Sequence, residues 1–117
     1  MKVLFLDDEA WRHDSMDLMV RTTDSILHVY DTEEFTRALS RAPFDLVCFD
    51  HDLGLGETTG LQAAEQFVAL KHPETLCLVH SWNPMGAEMI RRVLRAGGHR
   101  VAVLPFSTAL IRFIEAL

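Results

Sequence analysis

The chain has 117 residues, 49% of them apolar and 24% charged, with a formal net charge of −6 and a pI near 5.4. That length makes one domain, residues 1–117, around one core, and the acidic balance excludes a broad grip on a nucleic-acid backbone, which needs clustered Lys and Arg. No run approaches the roughly 20 apolar residues that cross a bilayer, and the opening apolar run meets acid at Asp7 too early for a secretory signal. A cytoplasmic protein without a membrane partner is the expectation.

In chain order, Val3-Leu4-Phe5-Leu6 reads as a strand covered on both faces, stopped by Asp7-Asp8-Glu9. Residues from Glu9 to Arg21 read as a helix with apolar groups at Trp11, Leu18 and Met19. Ser25 to Tyr30 is the second strand, with His28 a structural or partly exposed residue. Asp31-Thr32-Glu33-Glu34 opens the next helix as a capping box, with Phe35, Ala38, Leu39 and Ala42 as its stripe and Pro43 as its stop. Phe44 to Phe49 is the third strand, carrying one of two cysteines, Cys48 and Cys77. Both lie in apolar runs without metal or CxxC spacing and read as buried thiols.

Asp50-His51-Asp52 follows that strand directly, and charged groups are seldom placed at a strand end for packing. Gly54 to Gly60 reads as a loop closed by a threonine cap, and Leu61, Ala64 and Val68 as the stripe of a third helix. Thr75 to His80 is the fourth strand, after which Ser81-Trp82-Asn83-Pro84-Met85-Gly86 again brings polar groups out of a buried run. Asn83 suits an N-cap and Pro84 a first helical residue. That helix buries Met89, Ile90, Val93 and Leu94 and stops at Gly97-Gly98. Arg91, Arg92, Arg95, His99 and Arg100 read as a solvated basic face. Arg100 to Leu104 is the last strand, and Ser107 caps a closing helix with Leu110, Phe113, Ile114 and Leu117 as its stripe.

Five strands alternating with five helices imply right-handed crossovers and an α/β, three-layer doubly wound parallel sheet. The expected strand order is 2-1-3-4-5, the flavodoxin-like arrangement, whose ligands bind beyond the carboxyl ends of the strands. Asp7 and Asp8, Asp50 to Asp52, and His80, Ser81 and Asn83 all fall on that edge.

Asp7-Asp8, the strand-3 Asp50 and Ser81 after strand 4 resemble the receiver domain of two-component signalling. That resemblance implies magnesium, or another divalent cation, on Asp7, Asp8 and Asp50, with the backbone carbonyl of Asp52 as a further ligand and Asp50 as the phosphorylated residue. The lysine of that family would fall at Leu104, ahead of Pro105. Leu6-Asp7-Asp8-Glu9, Asp50-His51-Asp52-Leu53-Gly54, Thr59-Gly60 and His80-Ser81-x-Asn83-Pro84-x-Gly86-x-x-Met89 are similar to the motifs of the cyclic-phosphate processing receiver domain, in order and position. The resemblance implies activity on a small-molecule or RNA-terminal cyclic phosphate.

The residues suit that chemistry. Opening a cyclic phosphodiester needs a base, an acid and donors for the phosphate oxygens. His51 and His80 are candidates for the first two roles, with Asp50 or Asp52 orienting an imidazole. Ser81, Asn83 and the N–H groups around Gly86 are candidates to hold phosphate. Three readings stand: a cyclic phosphoesterase, a receiver phosphorylated on Asp50, and a silent ligand- or partner-binding module. Asp50 and His51 cannot project alike while the strand continues.

Overall fold

The computed structural model describes residues 1–20, 25–53 and 59–117. Five parallel strands form one sheet in the order β2-β1-β3-β4-β5: β1 (Lys2–Leu6), β2 (Ser25–Val29), β3 (Leu46–Phe49), β4 (Leu76–Val79) and β5 (Val101–Val103). Between and after them run α1 (Ala10–Met19), α2 (Thr32–Ala38), α3 (Gly60–Ala69), α4 (Pro84–Ala96) and α5 (Thr108–Glu115), with a short 3-10 turn, Leu39–Arg41, extending α2. The expected class and strand order are those observed.

Two apolar layers flank the sheet, set by the alternation of side chains along each strand. Leu4, Leu6, Val47, Phe49, Cys77 and Val79 face the helices α2, α3 and α4, where Phe35, Phe67, Ile90 and Leu94 are buried. Val3, Phe5, Leu46, Cys48 and Leu78 face α1 and α5, against Met16, Leu110, Ile111 and Ile114. Cys48 and Cys77 are buried free thiols, and burial pushes the Cys77 thiol up to about 12.

The caps form at the expected residues, although Glu34 closes on Tyr30, one residue before the cap, and not on Asp31. Asp31 Oδ1 accepts the Glu34 N–H at 2.7 Å, while Glu34 reaches back to the Tyr30 N–H. Asn83 and Ser107 cap α4 and α5, and Thr59 and Gln62 make a capping box on α3. The loop reading over 54–58 lies outside the described residues.

Several helical stripes are corrected. In α1 the inward residues are His13 and Met16, continued by Val20, whereas Trp11, Leu18 and Met19 are exposed. A polar His13 conceals the spacing in the sequence, because it is buried by bonding and not by hydrophobicity. In α3 Ala63 and Phe67 are buried with Ala64, and Leu61 and Val68 only flank the core. Met89 and Leu117 are exposed; Gly86 and Ala87 take the buried places on α4, and Ile111 does so on α5. His99 leaves the basic face altogether: it is buried with its ring 5.0 Å from that of Phe67, its Nδ1 3.1 Å from the Thr75 carbonyl.

Candidate functional site

The strand register decides what meets at the carboxyl edge. Leu6 pairs with Phe49, Phe49 with Val79 and Val79 with Val103, so Asp7, Asp50, His80 and Leu104 come next in adjacent rows. The ladder runs one step past the strands: Asp7 N–H donates to Val29, Asp50 N–H to Leu6, His80 N–H to Phe49 and Leu104 N–H to Val79. These backbones are therefore fixed, and the alternation of the strands carries into the site. Asp7 follows Val3 and Phe5, Asp50 follows Leu46 and Cys48, and His80 follows Leu78, so all three turn to the α1 face. Asp7, Asp50 and His80 each bring a ligand atom within 4.8 Å of the others.

His80 has no exposed surface and lies flat on Phe5, with ring centroids 4.8 Å apart. Its Nε2 is 3.0 Å from Asp7 Oδ2; a carboxylate only accepts, so the Nε2 proton is assigned to the imidazole. Burial pushes the His80 imidazole below its ordinary value, favouring the neutral ring. Burial alone would raise the Asp7 carboxyl, but the bond from His80, the Glu9 N–H at 2.8 Å and the Arg12 guanidinium hold it below the usual range. An ionised Asp7 thus faces a neutral His80.

Arg12 reaches in from the first turn of α1. Its Nη1 stands 3.2 Å from Asp7 Oδ2 and 3.6 Å from Asp50 Oδ2, bridging the two carboxylates. Asp50 is only 3% exposed, and burial together with the Asp7 charge pushes its carboxyl up to about 7 in spite of Arg12. His13, one residue on, brings Nε2 to 2.7 Å from the Asp7 carbonyl oxygen and Nδ1 to 2.6 Å from Nδ1 of His28, whose Nε2 is 2.7 Å from Asp17. Arg12 and His13 are the site residues that the motifs did not assign; their signal was position, since a helix starting at Ala10 turns its first full turn back over Asp7.

His51 lies on the other face, as alternation requires. The His51 ring packs on the start of α4, where a Cβ on Gly86 would stand 2.3 Å from its Cγ. Its Nδ1 is 2.8 Å from Asp52 Oδ1, and Asn83 Nδ2 donates to the same oxygen at 3.3 Å. The bond from His51 holds the Asp52 carboxyl below its usual range. Gly60 closes the turn: its N–H donates to the His51 carbonyl at 2.9 Å, and a Cβ there would stand 1.7 Å from the Asp50 carbonyl oxygen. No side chain fits at either glycine without displacing the site.

A cavity of about 230 Å³ opens above this edge, lined by Asp8, Glu9, Arg12, Asp50, Asp52 and Trp82. Three expectations are corrected by it. His80 is sealed behind Asp7 and does not line the cavity, so it is out of direct contact with anything bound there. Ser81 is buried and its Oγ accepts the Asn83 N–H at 3.0 Å, and the Gly86 N–H is taken by Asn83 Oδ1 at 3.0 Å, so burial withdraws the serine and the helix cap occupies the Gly86 donor. The acids do not gather as Asp7, Asp8 and Asp50: Asp7 and Asp50 group with His80, whereas Asp8 lines the cavity with Asp50 and Asp52.

The donor set still fits a hard divalent cation. Asp8, Asp50 and Asp52 present oxygen to one cavity beside the Arg12 guanidinium, and carboxylate oxygens are ligands that magnesium takes. Burial and the neighbouring Asp7 and Glu9 charges raise the Asp8 carboxyl, the mutual repulsion that a cation relieves.

An acidic site at the carboxyl edge of a 2-1-3-4-5 parallel sheet defines a domain of the receiver class. Residues 2–96 match the family model described as the cyclic-phosphate processing receiver domain, and the chain belongs to that family. No curated protein matches the chain. Among solved structures it is similar to a CheY-like response regulator receiver domain protein from Methanospirillum hungatei, at TM-score 0.75 and 18% identity over 98% of this chain and 90% of that one. It is similar also to the N-terminal domain of a response regulator/sensory box/GGDEF protein from Carboxydothermus hydrogenoformans, at 0.73 and 18% over 99% and 90%. NtrX from Brucella abortus matches at 0.73 and 18% over 98% of this chain, which spans a quarter of NtrX. At such identity these likenesses show the receiver fold alone. Among the described residues no helix is long and apolar enough to cross a membrane.

Proposed function

We propose that the cavity binds a cyclic phosphate ester and opens it with water. The observation that carries this reading is the Asp52–His51 pair at 2.8 Å, whose carboxylate lines the cavity together with Arg12, itself held between two carboxylates, while the imidazole packs behind it on Gly86. A receiver that only accepts phosphate needs no such imidazole. Asp52 accepts the Nδ1 proton and leaves Nε2 as the basic nitrogen, the division of labour by which a carboxylate prepares a histidine for proton transfer.

Arg12 is the donor suited to a non-bridging phosphate oxygen, being planar and permanently charged. Asp7 and Asp50 hold it in place, and the buried His80 steadies Asp7 from behind, which makes His80 a positioning residue. In the reaction a bond forms from water oxygen to phosphorus while one ring P–O bond breaks. His51 takes the proton lost by water and, as imidazolium, returns one to the departing ribose oxygen. A magnesium ion, with Asp8, Asp50 and Asp52 among its holders, would offset the excess carboxylate charge and polarise the phosphate.

Phosphorus NMR of the protein with 2′,3′-cyclic and 3′,5′-cyclic nucleotides and ADP-ribose 1″,2″-cyclic phosphate, with and without magnesium, tests this. Ring opening is expected, and His51→Ala and Asp52→Asn should reduce it at least a hundredfold. An unchanged rate in both variants would sink the reading.

One observation favours a second reading, phosphorylation of Asp50 as in signalling receivers. Asp50 directly follows β3 and shares its cavity with Asp8 on a receiver sheet. Leu104 in the lysine position and the Arg12 contact weigh against it. Incubation with acetyl phosphate and magnesium, followed by intact mass, decides: one added phosphoryl group lost in Asp50→Asn supports it.

A further inference from the structure

We propose that the exposed indole of Trp82 is the platform on which the base of a nucleoside cyclic phosphate stacks, so that the ligand's base and its cyclic phosphate belong to the same nucleoside. This rests on the reading that the cavity takes a cyclic phosphate.

Trp82 is 62% exposed, although an indole is among the most costly side chains to leave in water. It lines the cavity with Asp8, Glu9, Arg12, Asp50 and Asp52, and is the one apolar member of that lining. Among the described residues no ring and no cation stacks on it. The other tryptophan, Trp11, is half committed: its ring meets Phe106 edge to face at 5.4 Å and carries the Arg12 guanidinium at 5.2 Å.

The backbone beneath Trp82 is rigid. Asn83 N–H is held by Ser81 Oγ at 3.0 Å on one side, and Asn83 Oδ1 caps the Gly86 N–H at 3.0 Å on the other. A fixed, exposed aromatic beside a polar floor fits a ligand with one charged end and one flat apolar end. A nucleotide is such a molecule, and every base offers a face for stacking.

Proximity limits the ligand further. Trp82 lies one residue from Asn83, which bonds the Asp52 carboxylate of the His51 pair, and consecutive Cα atoms are about 3.8 Å apart. A base stacked on Trp82 is therefore carried by the ribose that bears the cyclic phosphate.

The test uses Trp11→Phe protein, in which Trp82 is the sole tryptophan. Its fluorescence is titrated, read before turnover, with 2′,3′-cyclic AMP and with a base-free methyl riboside 2,3-cyclic phosphate. The nucleotide should quench Trp82 and bind about tenfold more tightly than the riboside. Trp82→Ala, followed by the rise in KM at nearly constant kcat, should erase that preference and Trp82→Phe restore most of it. Equal binding of the two ligands, or a preference that Trp82→Ala leaves intact, overturns the platform even where the ring is opened. Quenching without ring opening keeps the platform and removes the hydrolysis. No binding of either ligand overturns both.

Discussion

His80 and Asp7 form a closed polar pair at 3.0 Å, neither with any exposed surface, on strands separated by β3. The pair spans the floor of the site and links α1, through Arg12 and His13, to the middle of the sheet. Breaking it from one side strands the other. Asp7→Ala leaves the buried His80 N–H without its acceptor and Arg12 with Asp50 alone, and should cost about 1–3 kcal/mol. Urea unfolding at pH 7 measures it; a loss below about 1 kcal/mol would show that the pair is not holding the floor.

Asp50 makes stability depend on pH in the opposite direction from an ordinary paired acid. Its carboxyl sits at about 7 in the folded chain, against 3.8 for an unperturbed aspartate. Between those values the folded state binds the more protons, so stability falls as pH rises from about 4 to about 7. In chelator, the wild type should lose about 1–3 kcal/mol between pH 5 and pH 8, and Asp50→Asn should lose much less. Equal slopes for the two proteins would place the Asp50 carboxyl in the ordinary range.

Much of this fold was legible because buried parallel strands declare themselves as apolar runs, and the caps at Asp31, Asn83 and Ser107 as polar residues at fixed offsets. The helix faces were less so. His13 is buried by bonds to Asp7 and His28, and hydropathy gives no hint of that. Two of the site groupings could have been found by counting. Asp7, Asp50 and His80 continue the strand alternation that points to α1, and His51 the one that points to α4. What counting could not give is depth: that His80 is sealed, that Asn83 consumes the Gly86 N–H, and that Arg12 reaches both acids.

Gly86 is where catalysis and packing separate. A Cβ there would meet the His51 ring at 2.3 Å, so Gly86→Ala must turn the imidazole away from Asp52 or shift α4. Overpacking of this kind costs about 1–3 kcal/mol. The expected result is a folded domain whose His51 proton resonances move and whose turnover falls as far as in His51→Ala. Full activity with unmoved resonances would mean that the ring is not held by this contact.

A divalent cation gives the last prediction. Asp8 and Asp50 face one cavity with their carboxyls both raised, chiefly by burial and next by the charge on Asp7. A cation bound to the folded state alone stabilises it by RT ln(1 + [L]/Kd), about 2.7 kcal/mol at a hundredfold excess over Kd. For a domain of this size that is a rise in Tm of roughly 10 °C. Magnesium should also release the Asp50 proton, so the rise should be larger at pH 8 than at pH 5. Asp8→Asn should abolish most of it, while calcium, which accepts looser geometry, should replace magnesium only in part. A Tm that magnesium leaves unmoved at both pH values would show that Arg12 is the only cation these carboxylates hold.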